Sequence, residues 1–119
     1  MRIFSRAAVA AMLTCAPAIA FAAGAIAVDD QEGQDPEDVG YGYSTGHASR
    51  DEAGAAALRE CRKEGNRSCK VAVRFDACGA YAASRRSWGI GWGSSESVAR
   101  RNALSECDGN CKIVFSVCE

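Results

Sequence analysis

The sequence predicts an α+β fold: two internally duplicated strand–strand–helix–strand units, one mixed or antiparallel sheet system, and two helices packed on it, all stabilised by disulfides. Three observations carry this expectation. Four short blocks recur in the same order in the two halves of the chain, two segments share an alanine-rich helical stripe, and six cysteines follow an apolar N-terminal segment. Each is taken below in chain order.

The chain opens Met1-Arg2-Ile3-Phe4-Ser5-Arg6, basic and free of acids, and continues with an apolar stretch from Ala7 to Ala23. A basic start, an apolar middle and an Ala-x-Ala exit read as a secretory signal peptide over residues 1–23, with candidate cleavage after Ala20, Ala22 or Ala23. A retained transmembrane helix fits less well, given Pro17 and the small-residue tail. Met12-Leu13-Thr14 lacks the small residue that a lipidated Cys15 requires, so Cys15 is read as a small hydrophobe removed with the leader. The mature chain is then one domain, residues 24–119, in two repeats of about 24–77 and 78–119, with no membrane span, and it is periplasmic or secreted. Of 14 basic residues, losing Arg2 and Arg6 leaves 12 against 15 acidic, a net charge of −3, which argues against a general nucleic-acid binder.

The repeat is read by laying the chain against itself. Gly24-Ala25-Ile26-Ala27 recurs as Gly79-Ala80-Tyr81-Ala82, and Gly40-Tyr41-Gly42-Tyr43-Ser44 as Gly89-Ile90-Gly91-Trp92-Gly93. Both pairs read as short strands. The connection between them is a long acidic loop in the first unit, Asp29 to Asp38, and a tight Arg85-Arg86-Ser87 turn in the second. Ala57-Leu58-Arg59-Glu60-Cys61 recurs as Ala103-Leu104-Ser105-Glu106-Cys107. Ser49 caps the first helix, with Glu52 three residues on to complete a capping box. Ala53, Ala57, Leu58 and Cys61 share one stripe, as do Ala99, Ala103, Leu104 and Cys107. Gly65 and Gly109 lie beyond the helix ends, where a left-handed residue commonly stops a helix. In the closing strands Cys69-Lys70-Val71-Ala72-Val73 recurs as Cys111-Lys112-Ile113-Val114-Phe115. Strict alternation puts Val71, Val73 and Phe75 on one face, and Ile113, Phe115 and Val117 likewise.

Alanine helix faces need bulk from the strands beneath them, so Tyr41, Tyr43, Trp88, Ile90, Trp92 and Phe115 are expected to fill that layer. In Trp88-Gly89-Ile90-Gly91-Trp92 the period of two leaves one bulky face and one of bare backbone open to close approach.

Six cysteines in a short exported chain indicate a disulfide framework, although spacing alone does not choose the pairing. The repeat suggests one: Cys61–Cys69 and Cys107–Cys111 flank equivalent loops, which leaves Cys78–Cys118 to tie one unit to the other. A zinc site would use the same thiolates, but no CxxC pair is present.

In the GAIAV and GAYA starts, the YGY and WGIGW alternations, the Ala-Leu-x-x-Cys helix ends and the Cys-Lys-Val/Ile strands, the chain resembles the small exported bacterial family called domain of unknown function 4189. The resemblance covers essentially all of Gly24 to Glu119. It implies an exported, disulfide-bonded α+β domain and brings no catalytic residues with it. The acidic first loop and the Arg62–Ser68 insertion depart from the expected pattern.

The search for chemistry turns up little. The one histidine, His47, stands in Ser44-Thr45-Gly46-His47-Ala48 without a counterpart in the second unit. No Gly-x-Ser-x-Gly elbow, phosphate-binding glycine loop or HExxH motif is present. The acidic run Asp29, Asp30, Glu32, Asp35, Glu37 and Asp38, with Gly33, could offer oxygen ligands to calcium but lacks EF-hand spacing, so it reads as a solvated loop. Neither a metal nor a cofactor is expected. The preferred expectation is a non-catalytic binding module of inhibitor, immunity or secreted-effector type, contacting another exported or envelope protein through Tyr41, Tyr43, Trp88 and Trp92 where these are exposed. Most of the four are nevertheless expected to be core, since a small domain rarely leaves tryptophans in water. One alternative is a small exported hydrolase using His47 with carboxylates of the first loop. Another is a structural envelope component. The sequence leaves the oligomeric state open.

Overall fold

Residues small on one side and large on the other dictate the layering of this protein. The computed structural model describes residues 22–30 and 35–119, so the leader expected at 1–23, apart from Ala22 and Ala23, lies outside the described residues, as do Glu32 and Gly33 of the acidic run. The elements are β1 (Ala23–Asp29), a 3₁₀ turn (Pro36–Asp38), β2 (Gly40–His47), α1 (Arg50–Lys63), β3 (Lys70–Phe75), β4 (Cys78–Ala83), β5 (Trp88–Gly93), α2 (Glu96–Ser105) and β6 (Lys112–Cys118). Because β1 starts at Ala23, which is buried and paired with His47, a cut after Ala20 or Ala22 would spare the strand.

The strands form two three-stranded sheets, ordered β2-β1-β3 and β5-β4-β6, and every pairing is antiparallel. Of the expected single mixed or antiparallel sheet system, the antiparallel pairing is present and the single system is corrected to two sheets. The two halves share element order and strand order.

Central strands β1 and β4 are buried along their whole length. Ala23, Ala25 and Ala27 face Ala53, Ala57 and Cys61 of α1, while Cys78, Ala80 and Ala82 face Ala99 and Ala103 of α2 and Cys107 just beyond its end. On the opposite face Ile26 and Val28 meet Val73, Phe75, Tyr81 and Ala83 in a core shared by both sheets. The result is four layers: α1, its sheet, the other sheet, α2. Each large side chain closed into the middle layer contributes about 1.5–3 kcal/mol.

The bulky strand residues do not lie under the helices. Glycines do: a Cβ on Gly42 would collide with the backbone of Cys61, one on Gly89 with the Ala103 carbonyl, and one on Gly91 with the Ala99 carbonyl. The bare faces of β2 and β5 are therefore where the helix backbones approach. Tyr41 and Tyr43 turn instead toward the second sheet, with ring centroids 4.4 and 4.9 Å from that of Phe115.

Closing strands β3 and β6 break the predicted alternation at equivalent points. Ile26 pairs with Val73 but Ala27 with Val71, and Tyr81 pairs with Phe115 but Ala82 with Ile113, so Ala72 and Val114 are bulged. Each bulge reverses the faces. Val71 and Ile113 join the helix layers, whereas Val73, Phe75, Phe115 and Val117 enter the central core.

Helix ends follow local rules. Ser49 Oγ accepts from Glu52 N (3.1 Å) and Ser95 Oγ from Val98 N (3.2 Å). Gly65, at φ +95°, donates its N–H to Arg62 O (2.9 Å) and ends α1. Gly109, at φ +90°, sits farther on, in the turn closed by the Cys107–Cys111 disulfide.

The disulfides are Cys61–Cys69, Cys107–Cys111 and Cys78–Cys118. The third does not tie the two halves together. β3 ends at Phe75, Cys78 opens β4, and its register partner is Cys118 itself, so the bridge staples two strands of one sheet. The halves are held to each other by the shared core, with the Arg85–Asp35 ion pair and the Tyr81–Asp30 and Gly46–Glu119 hydrogen bonds at its margins.

Candidate functional site

In this layering β2, β3, β5 and β6 are all edge strands. Tyr41 and Tyr43 stacking on Phe115 puts β2 opposite β6, and Lys70 Nζ lying 5.9 Å from the Trp88 ring centroid puts β3 opposite β5. The four aromatic residues singled out from the sequence are thus divided between the two sides of the sandwich.

On the first side a groove of about 760 Å³ runs between the outer edge of β2 and α1. Tyr41, Tyr43, Thr45, His47, Glu60 and Glu64 line it. Tyr41 is half-buried and Tyr43 is 44% exposed. Ser44 Oγ donates to Ala53 O (2.6 Å), and Asn66 Nδ2 donates to Cys61 O (2.9 Å), so strand and loop are both clamped to α1 around the groove. Glu60 pairs with Lys63 at 3.3 Å. Glu60 belongs to α1 and Glu64 caps its C-terminus; neither is in the first loop, and only the placement of β2 beside the helix reveals their position.

The second side is built on β5. Trp88 is 53% exposed and Trp92 58% exposed, contrary to the expectation that the tryptophans are core. The cause is positional: β5 is an edge strand, its glycine face is taken by α2, and its bulky face overhangs the central layer. Trp88 stacks on Tyr81 at 6.3 Å and 13°. A smaller groove of about 470 Å³, lined by Ile90, Trp92, Asn102 and Glu106, follows the β5 edge.

The described first-loop carboxylates do not approach His47. Asp29 is buried, and its Oδ2 accepts from Arg67 N and Ser68 N, each at 3.0 Å. It organises the Arg62–Ser68 insertion, a role that the reading of an undifferentiated acidic run misses. Asp30 pairs with Lys70 (3.5 Å) and accepts from Tyr81 Oη (3.4 Å). Burial first, and then the charge of Asp30, hold the Tyr81 phenol protonated well above the ordinary tyrosine range. Asp35 accepts from Arg85 Nε (2.9 Å), and that hydrogen bond lowers its pKa. Among the described residues the His47 side chain makes no hydrogen bond or ion pair, so nothing orients its imidazole as a base.

The sequence profile of a family described as Domain of unknown function (DUF4189) matches residues 23–118. The chain belongs to that family. Protein Rv1269c and Protein MT1307 of Mycobacterium tuberculosis, and Protein Mb1300c of Mycobacterium bovis, are each 36% identical to it over 69 residues. That stretch is 58% of this chain and 53% of each relative, so the chain spans about half the length of the curated relatives it matches. No solved structure matches. No helix among the described residues is long and apolar enough to cross a membrane.

Proposed function

We propose that this DUF4189 domain is an exported, non-catalytic binding module that receives an extended segment of another exported or envelope protein in the β2–α1 groove. The observation that carries this reading is the groove itself, where an exposed Tyr43 stands beside a strand edge, Glu60 of α1 and the α1 C-cap Glu64. An aromatic with one wet face supplies contact area at low entropic cost, and an edge strand offers main-chain hydrogen bonds to an extended chain. The glutamates favour a basic segment. Three disulfides suit a domain that works in an oxidising compartment. We further propose that the two halves arose by duplication, since they share element order and strand order.

Site-specific photo-crosslinking in the living cell tests the proposal. A photoreactive phenylalanine analogue at Tyr43 should give one discrete adduct, while the same group at Arg100, on the solvent face of α2, should give none. Absence of an adduct at Tyr43, or equal labelling from both positions, refutes it.

A further inference from the structure

Edge strands normally carry a device against pairing with other chains: a charge, a proline, a bulge or a cover. Here β3 has Lys70, Arg74 and the bulge at Ala72, and β6 has Lys112 and the bulge at Val114. β2 is regular from Gly40 to Ser44 and is interrupted only near its end, where Gly46 has φ +76° and donates its N–H to Glu119 Oε1 (2.7 Å), so the stretch beside the groove stays open. β5, Trp88–Gly93, has none of these: no charge, no proline, and an unbroken register with β4.

Its free edge can be read group by group. Ser84 N donates to Ser87 O (2.9 Å), so Ser84 and Ser87 are a hydrogen-bonded pair closing the β4–β5 hairpin. Antiparallel pairs alternate between bonded and non-bonded. Stepping along the observed register, Ala83–Trp88, Tyr81–Ile90 and Gly79–Trp92 are the non-bonded pairs. The N–H and C=O groups of Trp88, Ile90 and Trp92 therefore point away from β4, toward the open edge. Asn102 Nδ2 reaching Trp92 O at 3.0 Å from the flank of α2 agrees with that direction.

The same strand is a palindrome, Trp88-Gly89-Ile90-Gly91-Trp92. We propose that β5 pairs with β5 of a second copy, antiparallel about a two-fold axis at Ile90, and joins two three-stranded sheets into one of six strands. In that register Ile90 meets Ile90 of the second copy, and Trp88 meets Trp92 on both sides of the axis. The outward-pointing groups fall into bonded pairs, as an isologous contact requires, with Trp92 O, which already accepts from Asn102 Nδ2, using its second lone pair. The helices fit as well. α2 rests on the glycines of β5 and on Ala80 and Ala82 of β4, so its axis lies between those strands. With strands about 4.8 Å apart, the two α2 axes come to about 10 Å, an ordinary helix-packing distance. This surface is separate from the β2–α1 groove, and the two proposals stand or fall independently.

Sedimentation equilibrium of the disulfide-bonded protein should show a dimer at tens of micromolar. Trp88→Lys or Trp92→Glu removes two cross-axis aromatic pairs at once and should weaken association by about 5- to 150-fold. Combining both substitutions in one chain sets the introduced lysine against the introduced glutamate of the second copy, once on each side of the axis, and should restore association above either single variant. Within one strand those positions are about 13 Å apart and do not reach each other. Ile90 amide exchange in the unaltered protein should slow with rising concentration, a readout independent of whether the variants fold. A monomer at all concentrations overturns the proposal, as do single variants that dimerise normally, a folded double variant no better than the singles, or Ile90 protection gained only from a different protein.

Discussion

Replacing Gly91 by alanine adds one methyl where the fold has no room for it. The new Cβ would collide with the Ala99 carbonyl oxygen and the Ala103 nitrogen, both helix backbone, which no side-chain rotation can relieve. α2 must lift from β5 or β5 must bend away. Overpacking of this kind costs about 1–3 kcal/mol. Lifting α2 also opens the layer in which Ala99 and Ala103 are fully buried, at about 0.8 kcal/mol for each methyl-sized group exposed. Against these stands a gain of about 0.5–1 kcal/mol because alanine loses less backbone entropy than glycine in a strand. The net is a loss of about 2–3 kcal/mol. For a domain of this size each kcal/mol moves Tm by about 4–8 °C, so the expected drop is about 10–20 °C.

Thermal unfolding followed by far-UV circular dichroism, with the disulfides intact, measures it. Gly65→Ala is the control. Its Cβ would meet open space, and only the positive φ is penalised, at about 1–2 kcal/mol. A Gly91→Ala protein melting within a few degrees of the parent, and no lower than Gly65→Ala, would show that helix and strand are not in backbone contact.

Asp29→Asn should cost about 1–3 kcal/mol, because a charge-assisted acceptor for two backbone N–H groups becomes a weaker one; urea unfolding reads the loss, and amide exchange should speed at Arg67 and Ser68 first. Opening Cys78–Cys118 by double alanine substitution should cost about 4 kcal/mol under the chain-entropy account, and opening Cys107–Cys111 about 2 kcal/mol, since the closed loops differ so much in length; urea unfolding of each variant checks the order. Tyr81 has a folded pKa above its ordinary value of 10.0, so the stability it contributes is present below pH 10 and is lost as pH rises through the folded pKa. Phenolate absorbance should accordingly show Tyr81 ionising only with alkaline unfolding, a component that Tyr81→Phe removes.

The strands, the helices and their caps are legible in the sequence because each has a local cause: Ser49 needs only Glu52, and Gly65 needs only the end of α1. What misleads is any inference that crosses elements. Period-two alternation assigns Val71 and Val73 to one face, and a single bulged Ala72 sends them to opposite layers. The alanine stripe calls for aromatic bulk but is matched with glycine, because backbone-to-backbone approach leaves no signature that distinguishes it from a cavity awaiting a side chain. Reading Cys78–Cys118 as a tie between units fails because Cys78 opens β4, after the bend at Asp76 and Ala77, and so shares a sheet with Cys118. Of the groove, Tyr43 and His47 are visible in the sequence; Glu60 and Glu64 are not, since nothing local says which helix flank adjoins β2.

The two corrections about faces have one physical origin. A helix that sits on glycine and alanine buries little apolar area per residue, so α1 and α2 hold to their sheets by closeness, caps and disulfides rather than by bulk. Most of the buried bulk is thereby released to the face between the sheets, where Ile26, Val28, Phe75, Tyr81 and Phe115 converge. Each half consequently has a large apolar face that it cannot cover alone, and no disulfide fastens it to the other half. Cooperativity must then come from the middle layer: Phe115→Ala, which strips the ring under both Tyr41 and Tyr43, should cost about 3–5 kcal/mol and loosen β2 in the first half although Phe115 belongs to the second. Amide exchange resolved by residue decides the matter, since halves that unfold separately would confine the loss of protection to β4, β5, β6 and α2.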